Sequence, residues 1–362
     1  MKLCENTLIT TKPEAINTIA SGFMRLVKHR LQVLVVTVGL LLCTLITDIL
    51  IGPAFLSVSE VISGIFTPGK VSSSTAIIIW DIRLPMTLMA MLVGMSLGVA
   101  GVHMQTILGN PLASPYTLGF SAAAGFGAAL VILTGISLPF VPFLSIPLAA
   151  FVMCGVAAWL VYLFARVRGM SPEVMVLAGI ATLFLFQSLQ SLIQYLASPE
   201  VLQSIVFWLF GSLLKSSWSN VPIVAAIFIL CTLAILPNIW QLTGLRLGDD
   251  RAQAVGVNVR KLRLKMFCVV ALLTAGAVAF VGTIGFVGLV APHIARMLVG
   301  EDQRVLLPMA ALSGALILLG ASILSKLVSP GGVVPIGIVT AVIGVPFLFG
   351  LILRSGRNHW RT

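Results

Sequence analysis

Residues 84–107 read LPMTLMAMLVGMSLGVAGVHMQTI, a run of 24 residues without Asp, Glu, Lys or Arg. About 20 apolar residues in a helix cross the roughly 30 Å hydrocarbon core of a bilayer. The run therefore predicts a membrane-spanning helix. Similar runs recur along the 362-residue chain, in which 59% of residues are hydrophobic and 9% are charged. Such a composition excludes an ordinary soluble domain.

The predicted fold is all-α, a polytopic membrane protein with about ten transmembrane helices and both termini in the cytoplasm. Residues 1–30 are expected to form a cytoplasmic N-terminal segment, and residues 31–362 a single transmembrane domain. The first span is read as uncleaved because no small-residue cleavage pattern and soluble domain follow it. The eighth span is short and contains Pro292, which predicts a kink or break that other helices must shield. The predicted spans are 31–51, 84–107, 117–136, 143–165, 174–196, 220–238, 263–283, 285–299, 305–326 and 336–353.

The distribution of positive charge predicts the orientation. With cytoplasmic termini, all but four of the 22 Lys and Arg residues lie on the cytoplasmic side, as the positive-inside rule requires. The four exceptions are Lys70, Arg83, Lys215 and Lys326. Orientation thus accounts for the net charge of +11, and no nucleic-acid partner is needed to explain it.

The scarcity of ionisable residues within the spans bears on the energy source. Asp48 lies near the outer end of the first span, and no charged residue falls near the midplane of a predicted span. An ion-coupled secondary carrier, one alternative, would therefore lack its usual coupling group. Energy for uphill transport is expected to enter from another component.

A membrane enzyme is a further alternative, but the sequence shows no Ser/His/Asp set and no metal-ligand spacing. His103 and His293 lie on apolar helices and are interpreted as packed or hydrogen-bonded side chains. The cysteines lack a CxxC pattern and are interpreted as small buried hydrophobes. They are Cys4, Cys43, Cys154, Cys231 and Cys268.

One charged stretch, GLRLGDDRAQAVGVNVRK at 244–261, lies in a predicted cytoplasmic loop at about 239–262. Asp249 is predicted to be the N-cap of a short helix, Asp250 to lie in its first turn, and Gly256 to end it. So short a helix is marginal in water by itself. It is expected to pack as a structural loop helix or to bind a cytoplasmic partner.

The spacing of glycines in one span and of glutamines in another predicts what the faces of these helices contact. Gly94, Gly98 and Gly101 predict close packing of the second span against a neighbour. Gln187, Gln190 and Gln194 in the fifth span are three and four residues apart, which places them along one helical stripe. This stripe suits either a wet passage for polar cargo or interhelical hydrogen bonds.

The segment LRLGDDRAQAVGVNV at 245–259 resembles the cytoplasmic coupling segment of permease subunits in bacterial ABC importers for iron-siderophores, haem and vitamin B12. Other segments resemble the same family in the same order, and together they cover nearly everything after residue 30. They are DIRLPMTLMAMLVGMSLGVAGVHMQTILGNPLASPYTLGFSAAAGFGAA at 81–129, FWLFGSL at 207–213, GTIGFVGLVAPHIARMLVGEDQRVLLPMAALSGA at 282–315 and VPIGIVTAVIGVPFLFGLIL at 334–353.

This resemblance implies a multi-pass permease of the bacterial inner membrane that imports a ferric siderophore, with haem or a corrinoid as the alternative cargo. Its implied partners are a second permease copy or paralogue, cytoplasmic ABC ATPase subunits and an extracytoplasmic substrate-binding protein. The chain contains no GxxxxGK[ST] phosphate loop. ATP and Mg²⁺ are therefore expected to be used by the partner ATPase, with no cofactor bound by this chain.

The resemblance also implies residue roles. Ser171, Pro172 and Glu173 match the cytoplasmic gate, and the helix with the three glutamines would line the translocation pathway. Arg83 and Lys326 match basic groups that dock the binding protein, although Met86 and Val333 depart from the family pattern at that face. The implied ATPase-coupling residues are Leu247, Gly248, Asp249, Asp250, Arg251, Ala252, Val255 and Gly256.

Overall fold

A computed structural model of the chain describes the backbone of residues 13–54, 56–67, 69, 71–328 and 332–359, with side chains described from residue 24 to 351 and at 353 within these ranges. Cys4 and Lys70 lie outside the described residues, as do residues 1–12 of the predicted N-terminal segment. The described part contains helices and no strand, which confirms the all-α prediction. The helices are α1 Pro13–Leu50, α2 Val58–Phe66, α3 Ser73–Ile77, α4 Leu84–Leu108, α5 Phe120–Thr134, α6 Ser145–Val167, α7 Pro172–Leu196, α8 Pro199–Leu209, α9 Val221–Ile235, α10 Ile239–Leu245, α11 Asp249–Ala254, α12 Val259–Val281, α13 Val287–Val299, α14 Gln303–Val328 and α15 Ile336–His359.

Ten apolar helices correspond to the ten predicted spans. Seven are long and apolar enough to cross a membrane: α1, α4, α6, α7, α9 with its continuation through α10, α12 and α14. The other three are shorter, Phe120–Thr134, Val287–Val299 and Ile336–Leu351. The prediction of about ten spans is thus confirmed. The boundary predicted at residue 30 does not interrupt a helix, because α1 runs from Pro13 and its apolar part from Met24.

The predicted break at Pro292 does not occur, because α13 continues through that residue. Neighbouring helices can compensate for the one backbone hydrogen bond that a proline removes from a membrane helix. The break lies instead between α12 and α13, where Gly282 and Phe286 have φ of 76° and 67°.

Other segments satisfy the backbone at this break. Ile284 N–H donates to the Tyr116 hydroxyl at 3.0 Å, and the Thr283 hydroxyl donates to the Leu209 carbonyl. Ser212 N–H donates to the Val281 carbonyl at 2.7 Å. Irregular backbone is tolerated at membrane depth only when protein shields it in this way.

The predicted close packing at the glycines is confirmed. A Cβ on Gly94 would overlap the Gly314 carbonyl, and one on Gly98 would overlap the Ala310 carbonyl, both on α14. Gly101 meets the carbonyl of Gly288 on α13 in the same way. Small residues therefore bring α4 into backbone contact with two helices, as in other lipid-embedded bundles.

The cysteine interpretation is correct in part. Cys154 and Cys231 are buried, whereas Cys43 and Cys268 are exposed on the surface of their helices. A helix surface that faces lipid accepts a small apolar side chain as readily as a core does. The apolar composition of a span therefore does not show whether a cysteine in it is buried or lipid-facing. His103 is fully buried, and the His293 ring packs against Phe347 at a centroid distance of 6.0 Å.

Candidate coupling site

The predicted short charged helix is α11, and the prediction was correct for its C-terminal end only. The C-terminal end is as predicted: Gly256 has φ of 88°, and the amides of Gly256 and Val257 bond back to the carbonyls of Gln253 and Ala252. The N-cap is Gly248, with φ of 99°, so the prediction of Asp249 as N-cap is wrong. The Asp249 carboxylate is bound by a distant arginine instead.

That arginine is Arg263 on α12, whose side chain is almost wholly buried. Its Nη2 contacts both carboxylate oxygens of Asp249 at 2.9 and 3.0 Å. Its Nε donates to the Ile107 carbonyl at 2.8 Å, and its Nη1 donates to the Met170 carbonyl at 3.1 Å. One guanidinium thus joins α11 to the end of α4 and to the loop before α7. Arginine suits this position because its planar fork donates in several fixed directions.

The gate residues lie next to this junction. Met170, which precedes them, has φ of 62°. The Ser171 side chain caps α7 by accepting the Val174 amide at 3.5 Å, Pro172 is the first helical residue, and Glu173 is exposed in the first turn. The predicted gate segment therefore begins one residue after Met170, whose carbonyl is bound by the arginine that holds α11.

A second set of ion pairs surrounds α11. Glu301, between α13 and α14, contacts Arg246 and also lies 3.2 Å from Nε of Arg296. Arg296 donates to Gln105 of α4 at 2.8 Å. Arg30 of α1 lies 3.6 Å from Asp302. Through Glu301 and Arg296, these contacts connect the linker before α11 with α13 and again with α4, and Arg30 joins α1 to the adjacent Asp302.

A polar cavity of about 260 Å³ lies among these groups, lined by Gln105, Pro172, Arg246, Asp249, Arg263 and Arg296. Sequence analysis missed Arg263 and Arg296 as site residues. The available signal was their position, since each is an arginine at the polar end of an apolar helix with acidic residues nearby in the chain, in α11 for Arg263 and in the loop before α14 for Arg296.

The predicted coupling residues divide into an anchor and an exposed face. Ala252 is fully buried, and Asp249 is held by Arg263. The remaining predicted residues are exposed, including the apolar side chains of Leu247 and Val255. An exposed patch that combines apolar and charged side chains is typical of a protein-binding surface.

The three glutamines of α7 do not share one environment. Gln187 is exposed on the same face as Phe184. Gln190 is partly buried and packs so closely on Gly125 of α5 that an added Cβ there would lie 2.6 Å from its Oε1. Gln194 is partly buried. The stripe therefore combines one exposed amide with two that are partly buried.

At the opposite end of the bundle, Arg83 and Lys326 are buried rather than exposed. Arg83 donates to the carbonyls of Ile49 and Leu50 at 2.8 and 2.9 Å and also to that of Ala54. Lys326 is 6% exposed and lies 2.8 Å from the carboxylate of Asp48. In this conformation both cations bind the C-terminal end of α1, a contact that the sequence did not predict.

These features define a class: a multi-pass helical membrane protein with a structured, exposed and charged segment between two of its helices. A profile of the FecCD transport family matches residues 40–354. The chain belongs to that family and is an ABC transporter permease.

Three similar proteins support this assignment. The Fe(3+)-citrate import system permease protein YfmE of Bacillus subtilis is 36% identical over 331 residues, covering 91% of this chain and 96% of its own. The hemin transport system permease protein HmuU of Yersinia pestis is 37% identical over 282 residues, covering 76% and 84%. A solved inward-facing structure of an ABC transporter assigned to the metal-chelate type has a TM-score of 0.77 and 34% identity, covering 90% of this chain and 99% of that one.

Proposed function

We propose that this chain is the permease of an ATP-driven importer for ferric siderophores. A permease for Fe(3+)-citrate among its relatives and a structural neighbour of metal-chelate type support an iron chelate as cargo. Haem or a corrinoid remains the alternative cargo, and the hemin permease among the relatives favours haem. The observation that carries the mechanism is the Arg263 junction between α11 and the loop before α7.

The proposed assembly contains two permeases, two cytoplasmic ATPase subunits and an extracytoplasmic binding protein, in the bacterial inner membrane. An ABC permease works with ATPase subunits, and the exposed residues of α11 are the proposed ATPase contact. The distribution of Lys and Arg supports placing α11 and both termini in the cytoplasm.

The proposed transmission path is short. A displacement of α11 moves Asp249, which is bound in bidentate fashion to Arg263. Arg263 in turn holds the Met170 carbonyl, one residue before the proposed gate at Ser171, Pro172 and Glu173. Packed and ion-paired elements transmit such displacements because they have discrete arrangements and do not deform continuously.

The ATPase contact can be tested at the exposed residues of α11, which the fold does not need. A permease with both Asp250→Ala and Arg251→Ala should copurify with about five- to tenfold less ATPase than the wild type does. This ratio corresponds to a loss of about 1 to 1.4 kcal/mol of binding free energy. The matched control is Arg166→Ala with Arg168→Ala, two exposed residues outside α11. Equal retention by both double variants would refute the contact.

We propose that the exposed face of α7 at Gln187 lines the translocation pathway. In a chain without its native cysteines, Gln187→Cys should react with a membrane-impermeant thiol reagent at least about tenfold faster than Leu230→Cys, since the reactive thiolate needs water. Leu230 on α9 is 66% exposed and is expected to face lipid. Equal protection of both positions would contradict a wet passage at Gln187.

Docking of the binding protein by Arg83 and Lys326 remains a prediction from the family resemblance. Their burial favours a structural role in the conformation described, and docking would require the end of α1 to release them. Variants of the Lys326–Asp48 pair can separate these two roles.

Cargo can be tested with the permease and its ATPase in proteoliposomes, with the binding protein supplied outside. We expect uptake of a radioactive ferric siderophore and not of haem. Uptake of haem alone would leave the permease assignment intact and identify haem as the cargo.

A further inference from the structure

A cavity of about 480 Å³ lies at the end of the bundle opposite the coupling segment, between the starts of α6 and α9. Its polar wall consists of Lys215, Ser217, Ser219 and Asn220, from the segment that leads into α9. Trp208 and Phe280 are among the side chains that form its apolar wall. The cavity therefore combines a cation and hydroxyl groups with aromatic surface.

A second cavity of about 290 Å³ adjoins the first, and the two share Pro147, Ala279 and Phe280. Every side chain that lines this groove is apolar, including Phe151 of α6 and Ile227 of α9. Both residues lie six positions beyond the start of their helices, about 9 Å along the axis. The groove therefore extends from the polar cavity toward the membrane interior.

The charge and hydrogen-bonding groups of the polar cavity are not satisfied by the described residues. Lys215 is exposed and forms no ion pair within the described part of the chain. Asn220 is 8% exposed; its Nδ2 donates to the Lys215 carbonyl at 3.1 Å, while its Oδ1 has no partner among the described residues. The site thus offers a cation for an anion and a free acceptor for a donor.

We infer that these two cavities bind one glycerophospholipid whose headgroup carries a hydrogen-bond donor, such as ethanolamine or glycerol. The phosphate pairs with Lys215, the headgroup ammonium or hydroxyl donates to Asn220 Oδ1, and an acyl chain occupies the apolar groove. Free phosphate would leave the groove empty, and a ligand without charge would leave Lys215 unpaired. This inference rests on the membrane fold and is independent of the proposed cargo and coupling residues.

The test uses the full-length chain, incorporated into bilayers with equal amounts of phosphatidylethanolamine, phosphatidylglycerol and phosphatidylcholine and then examined by native mass spectrometry. We expect one retained lipid per chain, enriched in the two donor-bearing headgroups. Lys215→Gln should lower retention about tenfold, the ratio expected for one lost charge-assisted hydrogen bond. Lys28→Gln, at an exposed lysine far along the chain, is the matched control.

The groove is tested separately by filling it. Leu148 and Val152 on α6 are 48% and 47% exposed, but only Leu148 lines the groove. We expect Leu148→Trp to reduce lipid retention and Val152→Trp to leave it unchanged, with thermal unfolding of each variant reported alongside. The inference is overturned if Lys215→Gln retains lipid as Lys28→Gln does, if phosphatidylcholine is retained equally, or if inorganic phosphate displaces the lipid.

Discussion

Replacing Arg263 with alanine should abolish most ATP-driven uptake while the chain still inserts into the membrane. The substitution removes the bidentate pair with Asp249 and leaves the carbonyls of Ile107 and Met170 without their donor. Coupling free energies between sites are typically about 1–3 kcal/mol, or about 5- to 150-fold. We therefore expect uptake to fall about 10- to 100-fold, with ATP hydrolysis no longer dependent on cargo.

The controls distinguish coupling from general damage. Arg260 is exposed one turn earlier on α12, and Arg260→Ala should transport normally. Arg263→Lys keeps the charge but loses the planar fork, so intermediate uptake is expected. In a double-mutant cycle, Asp249→Ala and Arg263→Ala should be strongly non-additive because they remove the same contact. Wild-type uptake by Arg263→Ala would contradict the transmission path.

The second large effect is expected at the buried pair of Lys326 and Asp48. Lys326 Nζ lies 2.8 Å from Asp48 Oδ1, and the Thr87 hydroxyl donates to Oδ2 at 2.5 Å. Lys326→Met leaves the fully buried Asp48 carboxylate without its cation. Breaking a buried pair in this way costs about 3–5 kcal/mol. Thermal unfolding in detergent should therefore occur at markedly lower temperature.

Removing both charges should restore most of that loss. The double variant Lys326→Met with Asp48→Asn removes both members of the pair and leaves Arg83 bound to the carbonyls of Ile49 and Leu50, so its stability should approach that of the wild type. If the double variant is as unstable as the single one, the ion pair does not explain the effect.

The same double variant decides the docking role of Lys326. Complementary charge mainly accelerates encounter, and screening makes the effect largest at low salt. A binding protein that associates at the wild-type rate across a salt series would show that Lys326 is structural. Slower association at low salt would support docking.

Most of the fold could be predicted from hydropathy and from the residues that end helices. The ten apolar runs became ten apolar helices because each span must satisfy its own backbone in lipid. Gly256 ends α11 as predicted, because the positive φ needed at this position is a local property of the chain. Pro292 does not break its helix, since the effect of a proline depends on the helices packed around it.

The site depended on contacts between distant residues, which a single sequence does not show. Asp249 was predicted to cap its own helix, but Arg263, 14 positions later, binds its carboxylate. Asp48 and Lys326 pair across 278 positions, so both were read as isolated charges at helix ends. The glutamine spacing placed three amides on one stripe, but it did not show that Gln190 packs against Gly125 of the neighbouring helix.

Transport in proteoliposomes that contain the permease and its ATPase tests the central claim most directly. We predict that ferric siderophore enters only when ATP is present on the side of α11 and that uptake persists when a protonophore collapses the ion gradients at constant ATP. Uptake that requires the ion gradient, or that proceeds without the ATPase, would contradict the account and favour an ion-coupled carrier.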